Sequence, residues 1–175
     1  VKAVEEHLPG VPLVVDPVMV ATGGGRLLEE GAIDAVKQHL LRRARVMTPN
    51  MDEAAVLWGS AVSTREEMSA CARDLAEEFG VAVLVKGGHL AGPVAADVLC
   101  DENGTEWYES PRVGGVHTHG TGCSYSAALA TGLAKGCSLR DAVSEAKRFL
   151  GAAISGHLEW TKGGSVLQAL NHLNQ

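Results

Sequence analysis

His117-Thr118-His119-Gly120-Thr121-Gly122-Cys123-Ser124 runs directly into Tyr125-Ser126-Ala127-Ala128-Leu129-Ala130-Thr131-Gly132-Leu133-Ala134. A glycine-rich turn followed at once by small helix-forming residues reads as a corner of an α/β protein. Gly120 and Gly122 carry no Cβ, so the backbone turns tightly and comes close to a ligand there. The first amides of a helix lack intrahelical acceptors and sit at the positive end of its dipole, which suits an anion. Cys123 stands at the same place, where that dipole favours thiolate over thiol. The chemistry this allows is phosphate transfer: amides hold developing negative charge while Cys123 takes a proton from a hydroxyl. The alternative is a plain strand-to-helix turn with a buried cysteine.

Outward from this turn, strand and helix signals alternate. Val11–Val15 is an apolar run ending in Asp16-Pro17, and Val46-Met47 ends in Thr48-Pro49-Asn50. Val81–Val85 ends in Lys86-Gly87-Gly88-His89. Short apolar runs of this kind read as strands buried on both faces of a parallel sheet. Between them the spacing predicts helices over Glu30–Arg43, Met51–Trp58 and Thr64–Phe79. Asn50 and Thr64 are placed to cap the last two, and Glu67 completes a capping box. Asp101-Glu102-Asn103-Gly104 marks a hairpin between Val94–Cys100 and Thr105–Glu109. Further helices are expected from Cys123, over Leu139–Ser155 after a Ser138 cap, and over Ser165–Leu173. The loop Val18–Arg26, with Gly23-Gly24-Gly25, reads as a flexible surface loop or a ligand lid.

The class is therefore α/β, a mostly parallel central sheet flanked by helices in three layers. In such sheets ligands lie beyond the carboxyl ends of the strands. That rule gathers Asp16, Thr48-Pro49-Asn50, Lys86-Gly87-Gly88 and Gly120–Cys123 onto one edge.

Composition narrows the function. Of 175 residues, 46% are hydrophobic and only 4% aromatic, so the core is aliphatic. A net charge of −6 argues against general nucleic-acid or membrane-surface binding. No apolar run approaches the ~18 residues of a membrane span. The start, Val1–Leu8, has no signal-peptide pattern and reads as the end of a helix already under way. Cys71, Cys100, Cys123 and Cys137 form no Cys-x-x-Cys pair, which favours free thiols in a reduced, cytoplasmic setting. His117-x-His119 with Cys123 is an incomplete zinc set. The third glycine of a dinucleotide fingerprint is missing, and no P-loop motif occurs.

Phosphoryl transfer needs an activated hydroxyl, a metal at the polyphosphate and stabilised charge. Asp16, Asn50 and Glu53 supply hard oxygen donors for Mg²⁺. Asn50 and Glu53 read equally as a helix cap with a dipole-matched acid, and Lys86 as a solvated strand-end lysine.

Taken in order, Asp16-Pro17-Val18-Met19, Thr48-Pro49-Asn50-Met51-Asp52-Glu53, Val85-Lys86-Gly87-Gly88-His89 and Thr118-His119-Gly120-Thr121-Gly122-Cys123 resemble the hydroxymethylpyrimidine/phosphomethylpyrimidine kinases of thiamine synthesis. These belong to the ribokinase-like superfamily. The resemblance covers nearly the whole chain. Its most specific part is Thr-His-Gly-Thr-Gly-Cys, since most ribokinase-like enzymes have Asp where Cys123 stands. It implies a ribokinase-like fold and ATP- and Mg²⁺-dependent phosphorylation of 4-amino-5-hydroxymethyl-2-methylpyrimidine and its monophosphate. By this resemblance Cys123 is the base, and Gly120, Thr121 and Gly122 form the anion hole. Asn50, Glu53 and Asp16 belong to the Mg²⁺ and phosphate locus, Val18 to the pyrimidine pocket, and Lys86 and Gly87 to the nucleotide side. The family also implies a homodimer. Members carry further strand–helix units ahead of the position of Val1. Residues 1–175 are therefore expected to be a single kinase domain forming the C-terminal portion of a longer family domain. Related pyridoxal kinases share the Gly-Thr-Gly-Cys turn, so a pyridoxal-type kinase stays open, as does a non-catalytic binding module.

Overall fold

A computed structural model of the chain describes residues 1–7, 10–20, 25, 27–116 and 120–173. Two compact units divide it: Val1–Leu90 with Ala96–Tyr108, and Ala91–Ala95 with Glu109–Gln175.

In the first unit, helix α1 (Lys2–His7) precedes strand β1 (Val14–Val15), helix α2 (Glu30–His39) and a 3₁₀ turn (Leu41–Arg43). Strand β2 (Val46–Met47), helices α3 (Met51–Trp58) and α4 (Arg65–Phe79) and strand β3 (Ala82–Gly87) follow. Strands β4 (Val94–Asp101) and β5 (Gly104–Pro111) complete a five-stranded sheet in sequence order. β1, β2 and β3 run parallel, with Val14 opposite Val46 and Val46 opposite Ala82; β4 lies antiparallel to β3. Residues 82–85 of β3 are all buried, as a central strand covered on both faces requires.

Local signals account for most of these boundaries. Thr64 and Glu67 form a reciprocal capping box: the Glu67 N–H donates to Thr64 Oγ1 at 3.2 Å, and the Thr64 N–H donates to Glu67 Oε2 at 3.0 Å. Gly59 and Gly80 end α3 and α4 with φ of 81° and 70°, the left-handed conformation that glycine reaches without a Cβ penalty. The apolar face of α4, including Met68, Cys71 and Leu75, joins Val83, Val85 and Val98 in one core. Burial pushes the Cys71 thiol up to about 12, so it behaves as a packing residue.

β1 is shorter than the expected Val11–Val15, because Val11 is exposed and pairing stops with the two-residue β2. Two backbone bonds extend the contact, Arg45 N–H to Leu13 O (2.8 Å) and Thr48 N–H to Val15 O (2.9 Å). The helix expected through Arg43 ends at His39 and tightens into the 3₁₀ turn.

The second unit contains helices α5 (Thr121–Ala134) and α6 (Leu139–Ser155) and a hairpin of β6 (Leu158–Lys162) and β7 (Ser165–Ala169). α5 packs closely on α6: a Cβ at Gly132 would sit 2.9 Å from that of Ala142. Ser138 caps α6, its Oγ accepting from the Asp141 N–H at 3.2 Å. Two expectations are corrected here. α5 begins at Thr121 rather than Cys123, because Gly120, at φ 85°, lets the chain enter the helix two residues earlier. The helix expected over Ser165–Leu173 is instead strand β7. Gly163 and Gly164, at φ 59° and 82°, make a two-residue turn that pairs Lys162 with Ser165, and such turns favour positive φ at both positions.

Among the described residues, no helix is long and apolar enough to cross a membrane.

Candidate active site

Parallel strands end on the same edge, so the residues that follow β1 and β2 meet the end of β3. Asp16 lies one residue past β1, Thr48 one past β2, and Lys86 is the penultimate residue of β3. The Lys86 N–H donates to the Pro49 carbonyl at 2.8 Å, and Asn50 and Lys86 form a parallel bridge. Lys86 is no solvated strand end: its Nζ donates to Asp16 Oδ1 at 2.7 Å, with both side chains mostly buried. Thr48 Oγ1 lies 3.2 Å from the same Asp16 oxygen and donates to it. Sequence reasoning placed Thr48 at this edge but gave its hydroxyl no role, because only the folded strands show that it turns toward Asp16.

Asn50 and Glu53 cap α3 reciprocally. The Asn50 N–H donates to Glu53 Oε2, and the Glu53 N–H donates to Asn50 Oδ1, each at 2.9 Å. The capping expected from the sequence is thus present. It does not account for the burial of Glu53, which is 3% exposed where a cap acid is ordinarily wet. Desolvation raises the Glu53 pKa; the Asn50 amide and the Lys86 charge oppose it, and the Asp16 charge adds to it.

This donor set fits Mg²⁺, which commonly takes one or two carboxylates and completes its shell with water and phosphate oxygens. Asp16 and Glu53 are two such acids, close enough for one charge to act on the other. Among the described residues no group of three or more His, Cys, Asp or Glu could form an all-protein cage. Val18, the expected pocket residue, is exposed, while its neighbour Met19 is completely buried and anchors the segment. Of the glycine loop, Ala21–Gly24 and Arg26 lie outside the described residues.

Gly87 and Gly88 end this edge. Gly87 is a position of close approach, since a Cβ there would lie 2.0 Å from the Ala96 carbonyl oxygen. The Gly87 N–H donates to Asp97 Oδ1 at 2.9 Å, and Asp97 is buried. Asp97 was missed in the sequence; a single acid inside Val94-Ala95-Ala96-Asp97-Val98-Leu99-Cys100 was the signal available.

The second unit carries the Gly120–Cys123 turn. Among the described residues no side chain caps α5 there, and the first intrahelical bond runs from the Ser124 N–H to the Gly120 carbonyl at 2.8 Å. The amides of Thr121, Gly122 and Cys123 precede it, as an anion hole requires. Cys123 is exposed and free, unlike the buried thiol of the plain-turn alternative. Ser124 Oγ and His172 Nε2 lie 2.8 Å apart, and His172 stacks on Phe149. The zinc reading rests on His117 and His119, which, with Thr118, lie outside the described residues.

The phosphomethylpyrimidine kinase family model matches residues 1–168. A hydroxymethylpyrimidine/phosphomethylpyrimidine kinase of Rhizobium meliloti (strain 1021) is 48% identical over 147 residues, covering 83% of this chain and 55% of the relative. The thiamine biosynthesis bifunctional protein ThiED of Geobacter sulfurreducens is 44% identical over 142 residues, covering 81% of this chain and 29% of that protein. Among solved structures, Bacillus subtilis pyridoxal kinase in an ADP complex superposes with a TM-score of 0.84 at 33% identity, covering 99% of this chain and 64% of its own. Phosphomethylpyrimidine kinase of Clostridium difficile 630 superposes with a TM-score of 0.72 at 31% identity, covering 87% and 61%. The chain thus spans less than two thirds of the length of these relatives. The α/β fold expected from the sequence is the fold of these kinases, and the chain belongs to the phosphomethylpyrimidine kinase family.

Proposed function

We propose that the chain carries kinase chemistry in thiamine synthesis: transfer of phosphate from ATP to 4-amino-5-hydroxymethyl-2-methylpyrimidine and to its monophosphate. The observation that carries this reading is the Asp16–Lys86–Asn50–Glu53 cluster at the carboxyl edge of the parallel strands, in a chain of this family. Cys123 Sγ accepts the proton of the attacking hydroxyl. The substrate oxygen then bonds to the γ-phosphorus as the bond to ADP breaks. The backbone of Gly120, Thr121 and Gly122 receives the charge on the transferring group. Asp16 and Glu53, with Asn50 beside them, hold Mg²⁺, which when bound neutralises polyphosphate charge. Lys86 and Gly87 serve the nucleotide, and Val18 lines the pyrimidine pocket. On this reading residues 1–175 belong to one kinase domain, working in the cytoplasm as a homodimer.

Pyridoxal is the second acceptor to weigh, because a pyridoxal kinase superposes over 99% of the chain. ADP release from Mg²⁺-ATP, measured with hydroxymethylpyrimidine, its monophosphate and pyridoxal offered separately to the full-length protein, decides between them. Turnover with either pyrimidine supports the proposal, and turnover with pyridoxal alone replaces it. ATP binding with no transfer to any acceptor leaves a non-catalytic module.

A further inference from the structure

Asp97 is a carboxylate inside a strand of the sheet, only 3% exposed. It lies on β4 directly opposite Lys86, and its neighbour Ala96 lies opposite Gly87. A ladder amide ordinarily meets a backbone carbonyl across the pair. Here the carboxylate Oδ1 takes the Gly87 N–H at 2.9 Å. Burying a carboxylate is unfavourable unless donors satisfy it.

The consequence falls on residues 86 and 87. On one side the Lys86 N–H is held by the Pro49 carbonyl, and its Nζ by Asp16. On the other side Asp97 holds the next amide. Gly87 also has no room for a side chain, because the Ala96 carbonyl oxygen would lie 2.0 Å from its Cβ and Met68 Cε 2.8 Å from it. The backbone of the Lys86-Gly87-Gly88 turn is therefore fixed at the point where β3 ends.

We propose that Asp97 is a positioning residue for nucleotide binding: its carboxylate sets the path of the Lys86-Gly87-Gly88 turn by gripping the Gly87 amide. This rests on the kinase reading above, in which Lys86 and Gly87 serve the nucleotide. A side-chain oxygen at that point is the requirement, and the charge is secondary.

The test is the dissociation constant for Mg²⁺-AMP-PCP, measured by calorimetry on the full-length protein well below the melting temperature of every variant. Asp97→Ala is expected to weaken binding about tenfold, the loss of one hydrogen bond. Asp97→Asn keeps an acceptor oxygen in place and is expected to bind within about twofold of the parent. Asp97→Glu keeps the charge but moves the oxygen by one methylene, and is expected to bind as weakly as Asp97→Ala. Should Asp97→Ala fail to fold, the comparison of Asn with Glu decides. Equal binding by Asn and Glu overturns the proposal, as does parental binding by Asp97→Ala. A parent protein that binds no AMP-PCP overturns the kinase reading and this inference together; a binding parent with an indifferent Asp97 overturns this inference alone.

Discussion

Lys86 and Asp16, seventy positions apart in the chain, form an ion pair of 2.7 Å with side chains only 11% and 15% exposed. Removing one partner of such a pair leaves a charge stranded out of water. Lys86→Met or Asp16→Leu alone is expected to destabilise the protein by about 3 kcal/mol. The double variant is expected to lose clearly less than the sum, because neither member of the pair is then left without its partner. Urea unfolding midpoints of the four proteins measure the coupling, and strict additivity would show that the pair does not act as a unit.

Glu53 is buried at the same edge, and desolvation raises its pKa above the ordinary 4.5. The folded state therefore binds this proton more tightly than the unfolded state. The stability Glu53 contributes is fully present below about 4.5 and is lost as the pH rises through the folded value. Glu53→Gln stays neutral and keeps an oxygen for the Asn50 N–H. In metal-free buffer it is expected to melt above the parent at pH 7, with the gap closing at pH 4. On the proposed Mg²⁺ role of Glu53, phosphoryl transfer by the same variant of the full-length protein should fall, the opposite direction to its stability. A variant that melts below the parent at pH 7 would refute the desolvation account.

Two adjacent glycines give a controlled comparison. A Cβ at Gly87 meets the Ala96 carbonyl oxygen at 2.0 Å, whereas one at Gly88 meets nothing within 4 Å. Gly87→Ala must push β3 and β4 apart and is expected to cost about 3 kcal/mol. Gly88→Ala is expected to stay within about 0.5 kcal/mol of the parent. Chemical denaturation of both variants checks the contrast, and similar losses would mean that close approach is not what Gly87 provides.

Cys123 is exposed in the first turn of α5, so its removal touches little packing. Cys123→Ala is expected to leave the melting temperature unchanged while kcat for phosphoryl transfer in the full-length protein falls about a hundredfold or more, the range of a lost general base. Parental kcat in this variant would take the base role from Cys123.

How much of this could be read without the structure depended on the distance over which each signal acts. The Thr64–Glu67 box, the Asn50 cap and the Asp101–Gly104 turn were legible, because a cap or a turn is decided by residues two to four positions apart. The tail over 165–173 was not. Five residues with two adjacent apolar side chains suit a helix or a strand equally, and pairing of β7 with β6 through Gly163-Gly164 chose the strand. Among the candidate site residues, the motifs pointed to Asp16, Asn50, Glu53, Lys86 and Cys123 as residue types in order. They could not show that Lys86 is spent on Asp16, that Glu53 is desolvated, or that Asp97 grips the Gly87 amide.

The sequence by itself determined the alternation of strand and helix, the caps and turns that bound the elements, and the family motifs at the strand ends. Tertiary structure alone decided which charges meet and which groups leave water. The physical reason is that propensity and capping act within one turn of chain, whereas burial and ion pairing join groups ten to seventy residues apart, whose meeting depends on the register of the assembled sheet.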